Sequence, residues 1–135
     1  MGILFATDEW IKALKDELNN SPGYKEAAKK WEGDFYFVVT ADEQTPQHIY
    51  LYMDLWHGEC RDAFKADNPA AKSPEFKLQA PMKVWRGVME KKIDPITGIM
   101  KKQLKLDGPM MKVMKAPKAA TELVAACTRL DTQWP

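Results

Sequence analysis

At Asp34 the hydrophobic period of this 135-residue chain changes from helical spacing to two, and that change constrains the fold more than any other feature. Ahead of it, Trp10, Ile11, Leu14 and Leu18 recur at helical intervals behind Thr7, a plausible N-cap followed by Asp8 and Glu9. Asn19, Asn20, Ser21 and Pro22 end that helix and start another. Ser21 suits its cap, Pro22 its first position, and Tyr24, Ala27, Ala28 and Trp31 form one apolar stripe, with Gly33 suited to a left-handed stop. Beyond Asp34, Phe35, Phe37 and Val39 point one way and Tyr36 and Val38 the other, which predicts a strand with two apolar faces.

The alternation continues through the middle of the chain. Asp42 to Gln47, with Pro46, reads as a turn, and Ile49, Leu51, Met53 and Leu55 alternate with Tyr50, Tyr52 and Asp54 in a second strand. His57 and Gly58 read as a tight return into a third strand around Cys60 to Ala66. After a loop from Asp67 to Pro74, Phe76, Leu78 and Ala80 mark a fourth strand, and the set reads as an antiparallel meander. Pro81 then opens a helix bearing Val84, Trp85, Val88 and Met89, and Asp94 with Pro95 starts a shorter one ending near Met100. Leu104 to Leu106 return to strand alternation before Asp107, Gly108 and Pro109. The last third is helical, through Met110, Met111 and Met114 and then from Pro117 along Ala120, Leu123, Val124, Cys127 and Leu130. This order predicts an α+β fold with helices on one sheet face, in a single domain over residues 1–135.

Composition excludes several classes. The chain is 45% apolar and 29% charged, which fits a packed core rather than disorder, and no apolar run approaches the ~18 residues of a membrane span. The start, Met1 to Thr7, shows no basic leader, and Cys60 and Cys127 lie far apart, as two free buried thiols would in the cytoplasm. Net charge is +1, but it is unevenly divided. Residues 1–70 carry 7 basic against 13 acidic side chains and residues 71–135 carry 13 against 6, giving an acidic and a basic half.

Catalytic signatures are missing. The sequence has no phosphate-binding glycine loop, no dinucleotide fingerprint, no Gly-x-Ser-x-Gly elbow and no His-Glu-x-x-His, so neither a catalytic residue nor a cofactor is expected. Asp54, His57, Glu59 and Cys60 cluster in one turn, where a solvated hairpin explains them better than an irregular metal site. Lys91, Lys92, Lys101, Lys102, Lys105, Lys112, Lys115 and Lys118 are scattered over helix ends and loops with only Trp85 and Trp134 among them. That is a poor platform for nucleic acid, though lysines so placed suit an anionic membrane surface. Six of the eight methionines fall between positions 82 and 114, where they either fill an irregular core or line a space for variable apolar shapes.

One ordered series of residues resembles a known family. Trp85, Gly87, Val88, Met89, Lys92, Ile93, Asp94 and Pro95, then Ile99 and Met100, then Lys102 to Gly108, and finally Met111 to Met114, resemble the C-terminal half of the sterol carrier protein family of non-specific lipid-transfer domains. Trp10 and Ile11, and Trp31 with Gly33 ahead of the first strand, extend the likeness over nearly the whole chain. The resemblance implies a five-stranded, mostly antiparallel sheet covered by helices, with an apolar tunnel between the two layers. It further implies non-catalytic binding and transfer of an apolar lipid: a fatty acid, acyl-CoA, sterol or isoprenoid. On that reading Leu51 and Met53 line the tunnel from the sheet, and Val84, Trp85, Val88, Met89, Ile96, Met100, Met110, Met111 and Met114 line it from the covering segments. Two other classes would use a chain of this size: a hotdog-type acyl-thioester hydrolase, whose sheet wraps one long central helix, and an interaction module whose core has no cavity.

Overall fold

The computed structural model describes residues 2–43 and 45–135, so Met1, and Gln44 of the predicted turn, lie outside the described residues. The elements follow in the order β1 (Ile3–Leu4), α1 (Asp8–Asn19), α2 (Pro22–Ala27), β2 (Glu32–Thr40), β3 (Ile49–Trp56), β4 (Glu59–Ala66), β5 (Phe76–Pro81), α3 (Met82–Met89), α4 (Pro95–Met100), β6 (Lys105–Asp107), α5 (Met110–Met114), α6 (Pro117–Arg129) and β7 (Thr132–Gln133).

The predicted caps are in place. Thr7 Oγ1 accepts the Trp10 amide at 3.2 Å, Ser21 Oγ accepts that of Tyr24 at 3.2 Å, and Asp94 accepts that of Thr97 at 2.9 Å. Trp10, Ile11, Leu14 and Leu18 form the buried stripe of α1, which packs on β4 and β3. Gly33 departs from the prediction. The second helix ends at Ala27 with Ala28 as its C-cap, and Gly33 sits inside β2 without a left-handed backbone. Its requirement is steric, because a Cβ there would come within 2.8 Å of the Phe76 ring.

Five strands form one sheet in the order β4-β3-β2-β5-β6. The first three are joined as hairpins. His57 and Gly58 make the second return with φ of 50° and 81°, and a Cβ on Gly58 would meet the Lys25 carbonyl oxygen at 2.7 Å. The meander stops there, which corrects the sequence reading. β5 runs parallel to β2, with Phe37 beside Leu78, instead of returning beside β4. The chain from β4 to β5 crosses the outer sheet face on the way. The Lys72 amide donates to the Tyr36 hydroxyl at 2.9 Å and the Glu75 amide to Asp34 at 2.8 Å. This crossing accounts for the two apolar faces of β2: Tyr36 and Val38 are buried with Tyr52 and Ala66 on the outer face, and Phe35 and Val39 on the inner.

The inner face carries the main core. α3 covers β5 and β2, while α6 packs on α1, α2, α3 and α4 as an outer beam of the helical layer. β1 and β7 pair in parallel away from the main sheet, and Phe5 wedges between Trp10 and Trp134 at centroid distances of 4.9 and 4.6 Å. Two-residue strands carry no period, so the sequence does not announce them.

Candidate functional site

Between the inner sheet face and α6 is an apolar space of about 120 Å³. Its sheet wall follows from register: Phe35 and Phe37 of β2 stand beside Leu51 of β3 and Leu78 of β5 on one face. The rings of this wall pack in series with their aromatic neighbours. Phe35 stacks on Phe37 at 5.0 Å and on Phe76 at 4.8 Å, Trp31 stacks on Phe35 at 5.9 Å, and Trp85 meets Phe37 edge-on at 6.0 Å. Opposite stand Trp85, Val88 and Met89 of α3, Ile96 and Ile99 of α4, Val113 of α5, and the α6 stripe of Ala120, Leu123, Val124 and Cys127. That stripe recurs at i, i+3, i+4 and i+7, so one helix face bounds the space.

The wall is neutral. Each indole N–H bordering the space is already satisfied: Trp10 donates to Thr132 Oγ1 at 2.9 Å, Trp31 to the Gly33 carbonyl at 3.0 Å and Trp85 to that of Val38 at 3.0 Å. Burial pushes the Cys127 thiol up to about 12 and raises the Tyr24 phenol, so both stay protonated at neutral pH. Such a lining offers dispersion contacts and exclusion of water to an apolar group.

The eleven residues predicted to line a tunnel divide by position. Leu51, Trp85, Val88, Met89 and Ile96 border the space. Met53 is fully buried on the inner face, where it pairs with Phe35 and Ala63 outside the lining. Val84 and Met114 are half-buried against the core, and Met100, Met110 and Met111 are exposed. The reason is geometric: a helix of five or six residues presents one side inward, and in α4 and α5 Ile96, Ile99 and Val113 occupy it. Sequence reading passed over Trp31, Phe35 and Phe37, and the α6 stripe, as lining residues. The alternation of Phe35 with Phe37 and the helical spacing on α6 were the available signals.

The polar cluster of the second hairpin does not converge. Arg61 takes Asp54 with two hydrogen bonds of 3.1 Å, His57 Nε2 lies 2.6 Å from Glu32, and Cys60 is buried with its thiol pushed up to about 12. No group of three His, Cys, Asp or Glu among the described residues is arranged to hold a metal ion. No helix among them is long and apolar enough to cross a membrane.

Comparison with known proteins gives a consistent answer. The family model described as the SCP-2 sterol transfer family matches residues 11–120. A crystal structure of sterol carrier protein 2 superposes with a TM-score of 0.84 at 29% identity, covering 93% of this chain and 98% of the other. The solution structure of a conserved hypothetical protein from Thermus thermophilus gives the same TM-score and identity over 98% of this chain and 95% of its own. Apo sterol carrier protein 2 from Yarrowia lipolytica, at 20% identity, shares the fold with a TM-score of 0.60 over 87% of this chain and 88% of its own. Curated protein sequences return no match.

Proposed function

The chain belongs to the SCP-2 sterol transfer family, and on that premise we propose that residues 1–135 act as one cytoplasmic lipid-binding domain that holds and transfers the apolar part of a lipid without chemistry of its own. Family membership supports lipid binding in general terms. The observation that carries the finer reading is the neutral, apolar-walled space between β2, β3, β5 and α6. A sixteen-carbon chain has about fifteen CH₂ groups worth roughly 0.8 kcal/mol each on burial, so burying part of one suffices for micromolar affinity.

Volume refines the mechanism. A cavity of about 150 Å³ accommodates a benzene-sized guest, so the present ~120 Å³ takes only the first few carbons of a tail. Deeper insertion requires the covering layer to give. The elements suited to yield are α4 and α5, with six and five residues, because so short a helix has little stability apart from its packing. A hotdog thioesterase is not favoured: the longest helix among the described residues is the 13-residue α6, which lies on four other helices rather than inside a wrapped sheet.

Ala120→Phe tests the reading by filling the space from α6. A fluorescent fatty acid is expected to bind the wild type and to lose about tenfold or more in affinity with the variant, while the thermal midpoint moves by only a few degrees. The reading fails if the wild type does not bind the probe, or if the filled variant binds it equally well.

A further inference from the structure

Among the described residues five large apolar side chains are exposed, and three of them, Met100, Met110 and Met111, sit on the two short helices that help close the apolar space. Ile96 and Ile99 of α4 face inward while Met100 at its end is 69% exposed; Val113 of α5 faces inward while Met110 and Met111 are 46% and 66% exposed. Each helix is therefore apolar on both sides, which a short surface helix does not need for packing alone. Lysines flank these methionines along the chain. Residues 100–118 hold six lysines, Lys101, Lys102, Lys105, Lys112, Lys115 and Lys118, against a single acid, Asp107. Among the described residues, Lys112 alone of the six is paired with a carboxylate, that of Glu75 at 3.1 Å. Lys102 even occupies a left-handed backbone position, φ 63°, where glycine would be the low-strain residue.

We propose that the ends of α4 and α5 seat this protein on an anionic lipid bilayer, with Met100, Met110 and Met111 entering the acyl boundary and Lys101, Lys102, Lys115 and Lys118 above the headgroups. Methionine is adaptable enough to enter a fluid layer, and basic side chains at its edge are attracted to anionic lipid. A second copy of the chain is a poor occupant, because a symmetric contact would bring the same lysines face to face. A protein partner fits less well, since interface cores are depleted in lysine. The proposal rests on the carrier reading and deepens it. The helices that touch the bilayer also bound the apolar space, so a tail passes from one to the other with little exposure to water.

Sedimentation with phosphatidylcholine vesicles, with and without phosphatidylglycerol, tests this on the full chain. One variant carries Met100→Gln, Met110→Gln and Met111→Gln, and another carries Lys101→Glu and Lys115→Glu; all five positions are exposed, and circular dichroism checks the fold. The wild type is expected to bind the phosphatidylglycerol vesicles and to bind less as salt rises through roughly 0.05–0.3 M. The glutamine variant should lose about tenfold or more in vesicle partitioning, with fluorescent fatty acid binding in solution changed less than about twofold. The glutamate variant should lose the preference for anionic vesicles. The proposal is overturned if the glutamine variant partitions like the wild type, if the wild type ignores anionic vesicles, if fatty acid binding in solution falls in parallel, or if the wild type is a dimer that the glutamine substitutions dissociate. Vesicle binding without any binding of the soluble probe would instead overturn the carrier reading and leave this surface standing.

Discussion

Single residues decide how inert the apolar space is. Cys127 stands in its wall on α6, and burial pushes its thiol up to about 12, so the reactive thiolate is a minute fraction near neutral pH. In a Cys60→Ala background, maleimide labelling of Cys127 should be very slow at pH 7 and rise steadily with pH toward about 12, and a bound fatty acid should slow it further. Rapid labelling at pH 7 would mean that the wall is wet. The same residue scale explains Trp85, which packs on Phe37 with its ring and donates its N–H to the Val38 carbonyl, so it supplies area without leaving a donor in the lining.

At the scale of elements, α3 and α4 end in the same way. The Lys91 and Lys92 amides return to Val88 and Gly87, and the Lys102 and Gln103 amides to Ile99 and Gly98, each pair satisfying orphan carbonyls at the helix end. Both ends place a lysine in the left-handed position, at φ of 61° and 63°. Glycine relieves this strain, so Lys91→Gly should raise stability by about 0.5–1 kcal/mol, read as a higher thermal midpoint. Lys102→Gly should stabilise similarly but weaken vesicle binding, since it removes a cation from the proposed docking face. The two substitutions thus separate backbone strain from surface charge within one motif.

For the whole molecule, the buried titratable groups set an alkaline limit. Tyr24, Cys60 and Cys127 are all raised by burial above their ordinary values of 10.0, 9.0 and 9.0. The folded state thus favours their neutral forms. Their contribution is fully present below about pH 9 and is lost as pH rises through the unfolded values toward the folded ones. On the acid side, Asp8, Glu26 and Glu90 are lowered mainly by hydrogen bonds from Lys12, Lys29 and Arg86, so their contribution is present above about pH 4.5 and lost below it. All three are exposed, and the acid effect should be the smaller one. Thermal melts should show a plateau across roughly pH 5–8 and a marked decline above pH 9, whereas an unchanged midpoint at pH 11 would contradict the burial of these groups.

Local periodicity determined the element list apart from the two-residue strands β1 and β7. The caps at Thr7, Ser21 and Asp94, the alternation of β2 to β4 and the helical stripe of α6 are all consequences of neighbouring residues, and each is legible in the chain. The family likeness was legible too, because it lies in the order and spacing of such local signals. Tertiary structure decided the rest. That β5 lies parallel beside β2 depends on a loop crossing the outer sheet face, and which methionines face inward depends on which side of α4 and α5 meets the core. Both are long-range packing choices, in which burying one apolar side leaves another exposed. A sequence states that Met100, Met110 and Met111 are apolar; only the packed fold gives the inward positions to Ile96, Ile99 and Val113 and leaves the methionines at the surface.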